Sequence, residues 1–244
     1  MAKKPPTPSA SQTLAEIEAT GDRVAEWASR NAALILGTIA GLLVLAAVVG
    51  LYVQHSSDAR DEAADALART TSQYRKAMGA DPAGGPILEP ANAELASRVR
   101  TEYADRFAEV GRVNAGTSAG ALAWLEAGKL QAELGRLEDA ASSFASARDS
   151  ARGSAVAALA SVRLAALAEN RGDASAAAES YERAASVTSY PLRAQALADA
   201  TRCWLDAEDA ERALATYQRL ESEFPESVVD PSVAALVAEL RARR

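Results

Sequence analysis

The amino-acid sequence predicts an all-α protein: a single membrane-spanning helix followed by an α-solenoid of helical hairpins. Three observations carry that prediction. Ala32 to Val53 is an uninterrupted run without one charged residue. The remainder is rich in Ala, with only 5% aromatic residues, a composition that suits close-packed helices better than a sheet built on β-branched and aromatic runs. From Ala121 onward a three-part pattern recurs: Ala140, Phe144, Ala147; then Ala177, Tyr181, Ala184; then Ala213, Tyr217, Leu220. The leading alanines stand 37 and 36 residues apart, the period of a stack of helix pairs.

Taken in order, residues 1–11 (MAKKPPTPSAS) are rich in Pro and Ser and are expected to be disordered. Residues 12–31 read as a short cytoplasmic helix. Its stripe Leu14, Ile17, Gly21, Val24 and Ala28 is taken as an extension of the span, with a docking face for a partner helix as the alternative. The run 32–53 measures roughly 33 Å as a helix, against about 30 Å of bilayer hydrocarbon. Trp27 and Tyr52 bracket it at interfacial positions. It is longer than a signal-peptide core, begins some thirty residues in, and is followed by no small-x-small cleavage site, so an uncleaved anchor is expected. Arg23 and Arg30 before it, against Arg60 after it, favour a cytoplasmic head and an exported tail. Gly37 and Gly41 form a GxxxG pair through which two copies can dimerise.

Residues 54–118 are expected to fold as a membrane-proximal hairpin. Ser57 or Asp58 caps a first helix to about Met78, with Ala63, Leu67, Thr70 and Tyr74 on one face. A Gly/Pro-rich loop follows at 79–90, then a helix over about 91–113 with Leu95, Val99, Tyr103, Phe107 and Val110 along one side. Residues 119–225 hold three repeats. In 226–244, Asp230-Pro231 opens a capping helix carrying Val233, Leu236, Val237 and Leu240.

The repeats resemble the tetratricopeptide family, whose pattern runs W-x2-L-G-x2-Y, then A-x3-F, then P. The first unit carries Trp124, Gly128, Gly135 at the turn, Ala140, Phe144 and Ala147. The second carries Leu164, Gly172, Ala177, Tyr181 and Ala184, and the third Trp204, Ala213, Tyr217 and Pro225, with Glu208 in place of the turn glycine. The resemblance implies a concave groove for segments of other proteins, lined by Leu122, Leu125, Lys129, Val162, Ala166, Glu169, Gln195, Arg202 and Asp206. That lining is mixed in charge and better suited to an apolar or extended polypeptide than to a C-terminal carboxylate.

Little in the chain argues for catalysis. The net charge of −7 lies wholly beyond the apolar run, which gives the tail no electrostatic reason to seek nucleic acid. One cysteine, Cys203, excludes an internal disulfide, and one histidine, His55, leaves no metal-ligand set; neither a metal nor a cofactor is expected. Gly116-Thr117-Ser118-Ala119-Gly120 satisfies G-x-S-x-G, but a nucleophile elbow needs a strand before it and a base beside it. Loop and N-cap duty for Ser118 is the reading adopted.

As a whole, a short head with Trp27 and Asn31 before one span, an Ala-rich helix ending near Tyr74, and repeats after it resembles the YfgM-type ancillary subunits of the bacterial Sec translocon. That resemblance implies a single-pass inner-membrane protein with a periplasmic domain. Its implied partners are translocon subunits, periplasmic chaperones or exported chains. Two alternatives stand beside it. One is a coordinator of cell-envelope assembly of the Tol-Pal type, suggested by Ala213, Tyr217 and Phe224-Pro225. The other is a single-span regulator whose head holds a cytoplasmic partner.

Overall fold

The computed structural model describes Trp27 and residues 30–242. The expectations for residues 1–11 and for the stripe in 12–31 fall outside the described residues. The chain divides into two compact units, Met1–Ser57 and Asp58–Arg244. Among the described residues there are nine α-helices and no strand: α1 (Ala32–Ala77), α2 (Ala93–Val113), α3 (Ser118–Glu133), α4 (Leu137–Ser150), α5 (Ala155–Asn170), α6 (Ala174–Ser186), α7 (Arg193–Asp206), α8 (Ala210–Glu223) and α9 (Pro231–Ala242).

In the first unit, the Asn31 backbone N–H and side-chain amide both donate to the Trp27 carbonyl, at 3.0 and 2.8 Å. Every described side chain from Leu42 to Val49 is exposed, and so is Leu51. Nothing stands within 4 Å of where a Cβ on Gly37 or Gly41 would lie. Among the described residues no helix is long and apolar enough to cross a membrane. The side chains at 33–36, 38–40, 50, 52 and 53, nearly half of the apolar run, lie outside that description. Ser57 and Asp58 do not open a helix as expected, because α1 continues through them; the Ser57 hydroxyl donates to the Gln54 carbonyl at 2.9 Å instead.

The second unit is a solenoid-like succession of hairpins in which each helix from α2 to α7 packs against the next in the chain, and α9 packs on α8. The helices alternate in role: α3, α5 and α7 are the first of each pair, α4, α6 and α8 the second. Small residues allow the close approach. Ala140, Ala177 and Ala213 are fully buried, and a Cβ on Gly128 would stand 2.7 Å from the Phe144 ring, so that ring lies directly on the helix backbone. Four apolar clusters run along the stack, each bridging consecutive pairs. The first joins Tyr74 to Tyr103, Phe107 and Leu130, and another joins Trp204 to Tyr181 and Ala213. Trp204 is wholly buried; Tyr217, which stands in the last pair where Phe144 and Tyr181 stand in the others, is half-buried beneath Arg241.

The turns repeat as faithfully as the helices. The N–H of Arg136 donates to the Gln131 carbonyl, that of Asp173 to Ala168 and that of Asp209 to Trp204, at 2.8, 2.9 and 3.0 Å. This is the six-to-one bond of a helix ending in a left-handed residue. Gly135 and Gly172 supply that residue at φ 73° and 75°, and Glu208 supplies it at φ 58°, the one positive-φ residue other than glycine among those described. Glu208→Gly is therefore expected to stabilise the fold by about 0.5–1 kcal/mol, read as a raised urea midpoint; no rise would mean the turn tolerates its Cβ.

Elsewhere the apolar stripes are narrower than the sequence suggests. Leu95 is 45% exposed, since it lies in the first turn of α2, where its N–H is taken by the Asn92 cap. Leu236 is 49% exposed, while Val233 and Val237 are buried. Asp230 does open α9, accepting from the Ser232 N–H at 2.8 Å.

Candidate functional site

The expected groove residues lie on the first helices of the three pairs, but they do not form one continuous lining. Leu125 is only 7% exposed, packed with Ala140 and Phe144, and presents nothing to a ligand. Val162 is half-buried between two core clusters. Of the repeat-packing set, Gly135, Gly172 and Pro225 are exposed, the two glycines because they sit in turns. Ala166 is half-buried and lines none of the clefts described below; the other six groove residues fall into two regions, one at each end of the stack.

At the α5–α7 end, charge is organised around Glu169. Its carboxylate accepts from the Arg202 guanidinium, from the Tyr181 hydroxyl at 2.8 Å and from the Cys203 thiol at 3.5 Å. Burial opposes its charge, but the Arg202 and Tyr181 bonds outweigh that and hold the carboxyl below its usual range. Arg202 also donates to Asp206 at 3.3 Å. Four residues of the sequence-derived set, Gln195, Glu169, Arg202 and Asp206, thus meet here. Asp199 joins them, although nothing in its local sequence marked it. Gln195 donates to it at 3.2 Å, yet burial raises its pKa above the ordinary carboxylate range. Gln195, Asp199, Arg202 and Asp206 form one wall of a cleft of about 370 Å³, with Val228, Asp230 and Leu236 opposite.

Cys203 is fully buried, and desolvation pushes its thiol up to about 12. A thiol so held is a packing group rather than a nucleophile. It is expected to resist maleimide at pH 7 in the native protein and to react fully in about 6 M guanidinium. Fast labelling of the native chain would show that α7 opens locally.

At the α1–α3 end, Leu122 and Lys129 face the last turns of α1. A cleft of about 300 Å³ lies between them and Leu67, Thr71 and Tyr74, and a second of about 680 Å³ reaches Arg100 and Glu133. Ile87, from the 79–90 connection, lines both. Lys129 pairs with Glu126 at 3.8 Å, and Arg100 with Glu89 and Glu133. Arg100 and Glu89 are missing from the sequence-derived set because they belong to the hairpin rather than to a repeat.

Ser118 is not the N-cap of α3. The Thr117 hydroxyl accepts from the Gly120 N–H at 3.0 Å, and Ser118 is the first helical residue. Among the described residues no group of His, Cys, Asp and Glu is arranged to hold a metal ion.

Fold and surface together define a helical-hairpin stack with cleft-bearing, mixed-charge ends. No family model matches the chain, and no curated protein does. It is similar at 17% identity to the crystal structure of BtubC (BKLC) from P. vanneervenii, over 92% of this chain and 96% of that one, with a TM-score of 0.39.

Proposed function

We propose that the chain is a membrane-anchored tetratricopeptide-type scaffold of the bacterial inner membrane. In this reading its helical-hairpin domain lies in the periplasm and binds other proteins close to the Sec export channel. The observation that supports a scaffold is the recurrence of one hairpin unit, with equivalent turns and equivalent buried alanines, under a face that stays polar and clefted. Such stacks present extended surfaces to polypeptides. The anchor is supported by the apolar side chains of Leu42 to Val49, exposed around the whole helix circumference, an arrangement costly in water and favourable in lipid. Export partnership rests on the overall resemblance to YfgM-type subunits.

Brief in-cell crosslinking followed by purification of the full-length chain in mild detergent and mass spectrometry tests this. Channel subunits, periplasmic chaperones or exported chains are the expected recoveries. Envelope-assembly proteins, or a cytoplasmic regulator held by the head, would replace the export assignment with the corresponding alternative.

A further inference from the structure

The connection between α1 and α2 is longer than a hairpin needs. Helix pairs are ordinarily joined by about 2–8 residues, whereas residues 78–92 separate these two. Its first part is closed on itself. Arg75 donates to the Asp81 and Gly85 carbonyls, both at 2.7 Å, and Asp81 accepts from the Ala83 N–H at 2.8 Å.

Residues 86–90 (PILEP) behave differently. They have no regular secondary structure, and no backbone hydrogen bond ties them to any other described residue. Two side chains hold the segment. Ile87 is half-buried against the cluster of Tyr74 and Phe107, and both oxygens of Glu89 are gripped by the Arg100 guanidinium, with the Nη1–Oε1 bond at 3.0 Å. Leu88 between them is 76% exposed. Glu89 is itself exposed at 62%, so the segment is held by one half-buried aliphatic side chain and, two residues on, one carboxylate clamped at the surface. Arg100 is itself fixed by Glu133 of α3 at 3.1 Å, so the grip is built into the first repeat. Ile87 lines both clefts, of about 300 and 680 Å³, so space that the segment does not fill adjoins it.

We propose that this end of the stack is a peptide subsite for an extended polypeptide carrying an aliphatic side chain followed two residues later by a carboxylate, and that Pro86–Pro90 occupies it in cis. The segment is a built-in competitor. Tethering gives it an effective concentration on the order of millimolar, so weak ligands are excluded, and a partner must use the adjoining clefts to displace it. This rests on the reading of the first-helix face as a polypeptide-binding surface and adds what that surface selects.

The test uses the full-length chain in detergent micelles and a fluorescein-labelled peptide, Gly-Pro-Ile-Leu-Glu-Pro, followed by anisotropy. Ile87→Ser with Glu89→Ser is expected to tighten probe binding at least about tenfold over the parent chain by emptying the site. Adding Arg100→Glu is expected to abolish it, as is a probe with Lys in place of its Glu. Glu89→Gln alone, which keeps size and removes only charge, is expected to give a smaller rise and does not depend on the double variant folding. The proposal is overturned if Glu89→Gln and the double variant bind the probe no better than the parent chain, or if the parent already binds it as tightly. Probe binding is independent of which proteins crosslink in cells, so failure here and failure of the export assignment are separate results.

Discussion

Gly120→Ala is expected to lower the unfolding free energy by about 3 kcal/mol, seen as a fall in urea midpoint at unchanged slope. A Cβ at that position would lie 2.2 Å from the Asn114 carbonyl oxygen, a backbone atom that has no rotamer to change. That oxygen is already the acceptor for the Thr117 N–H at 3.2 Å and the Thr117 hydroxyl at 2.8 Å, and the hydroxyl accepts from Gly120. Moving Asn114 aside therefore breaks the turn between α2 and α3 together with the α3 cap. Gly116, the first glycine of the same G-x-S-x-G motif, is needed for a different reason. Its φ is 82°, and open space surrounds it, so Gly116→Ala is expected to cost only about 1 kcal/mol. Ser118 is exposed and caps nothing, so Ser118→Ala is expected to stay within about 0.5 kcal/mol. The three substitutions separate the steric from the conformational demands of this turn. Equal losses at 116 and 120 would mean that Asn114 yields to the added methyl, since Gly120 lies within α3 and has no positive φ.

What could be read ahead of the structure followed from periodicity. The recurrence of Ala140, Ala177 and Ala213 located the second helices, and Gly135 and Gly172 located their turns, because close helix contact and left-handed geometry each admit few residue types. The gap at Glu208 was visible too, although only the backbone shows that it adopts the glycine conformation. Groove residues were harder. Spacing gives a helix face but not how far the neighbouring helix covers it, which is why Leu125 is buried while Leu122, three positions earlier, is 40% exposed. Nor does spacing reveal contacts made from outside the repeats. Gly111 has no place in the repeat pattern, yet a Cβ added there would stand 2.7 Å from the Trp124 ring, and Arg100 reaches Glu89 in the connection before its helix and Glu133 on the helix after it. Polar partners chosen by tertiary packing, such as Glu169 with Arg202, carry no local signature at all.

Glu169→Ala is expected to cost about 1–2 kcal/mol at pH 7, the low part of the range for charged hydrogen bonds, because its partner Arg202 is 40% exposed and stays partly hydrated. The loss leaves Arg202 and the Tyr181 hydroxyl without their shared acceptor. Its pH dependence follows from direction alone. The folded carboxyl titrates below the ordinary value of 4.5, so the native state binds fewer protons than the unfolded chain there. The stabilisation is complete above that ordinary value and is lost as pH falls through the folded one. Parent and Glu169→Ala should therefore converge in strong acid. Asp199 runs the other way. Burial raises its folded pKa above the ordinary 3.8, so its contribution is most favourable below 3.8 and becomes a cost as pH rises through the folded value. Asp199→Asn, which retains an acceptor for Gln195, is expected to stabilise the chain at pH 7 and to lose that advantage near pH 3. Urea unfolding of the full-length chain in detergent at both pH values reads all three proteins. An offset of Glu169→Ala from the parent that persists undiminished into strong acid would show that Glu169 acts through packing rather than charge. Destabilisation by Asp199→Asn at pH 7 would show that the carboxylate has a cationic partner strong enough to outweigh its burial.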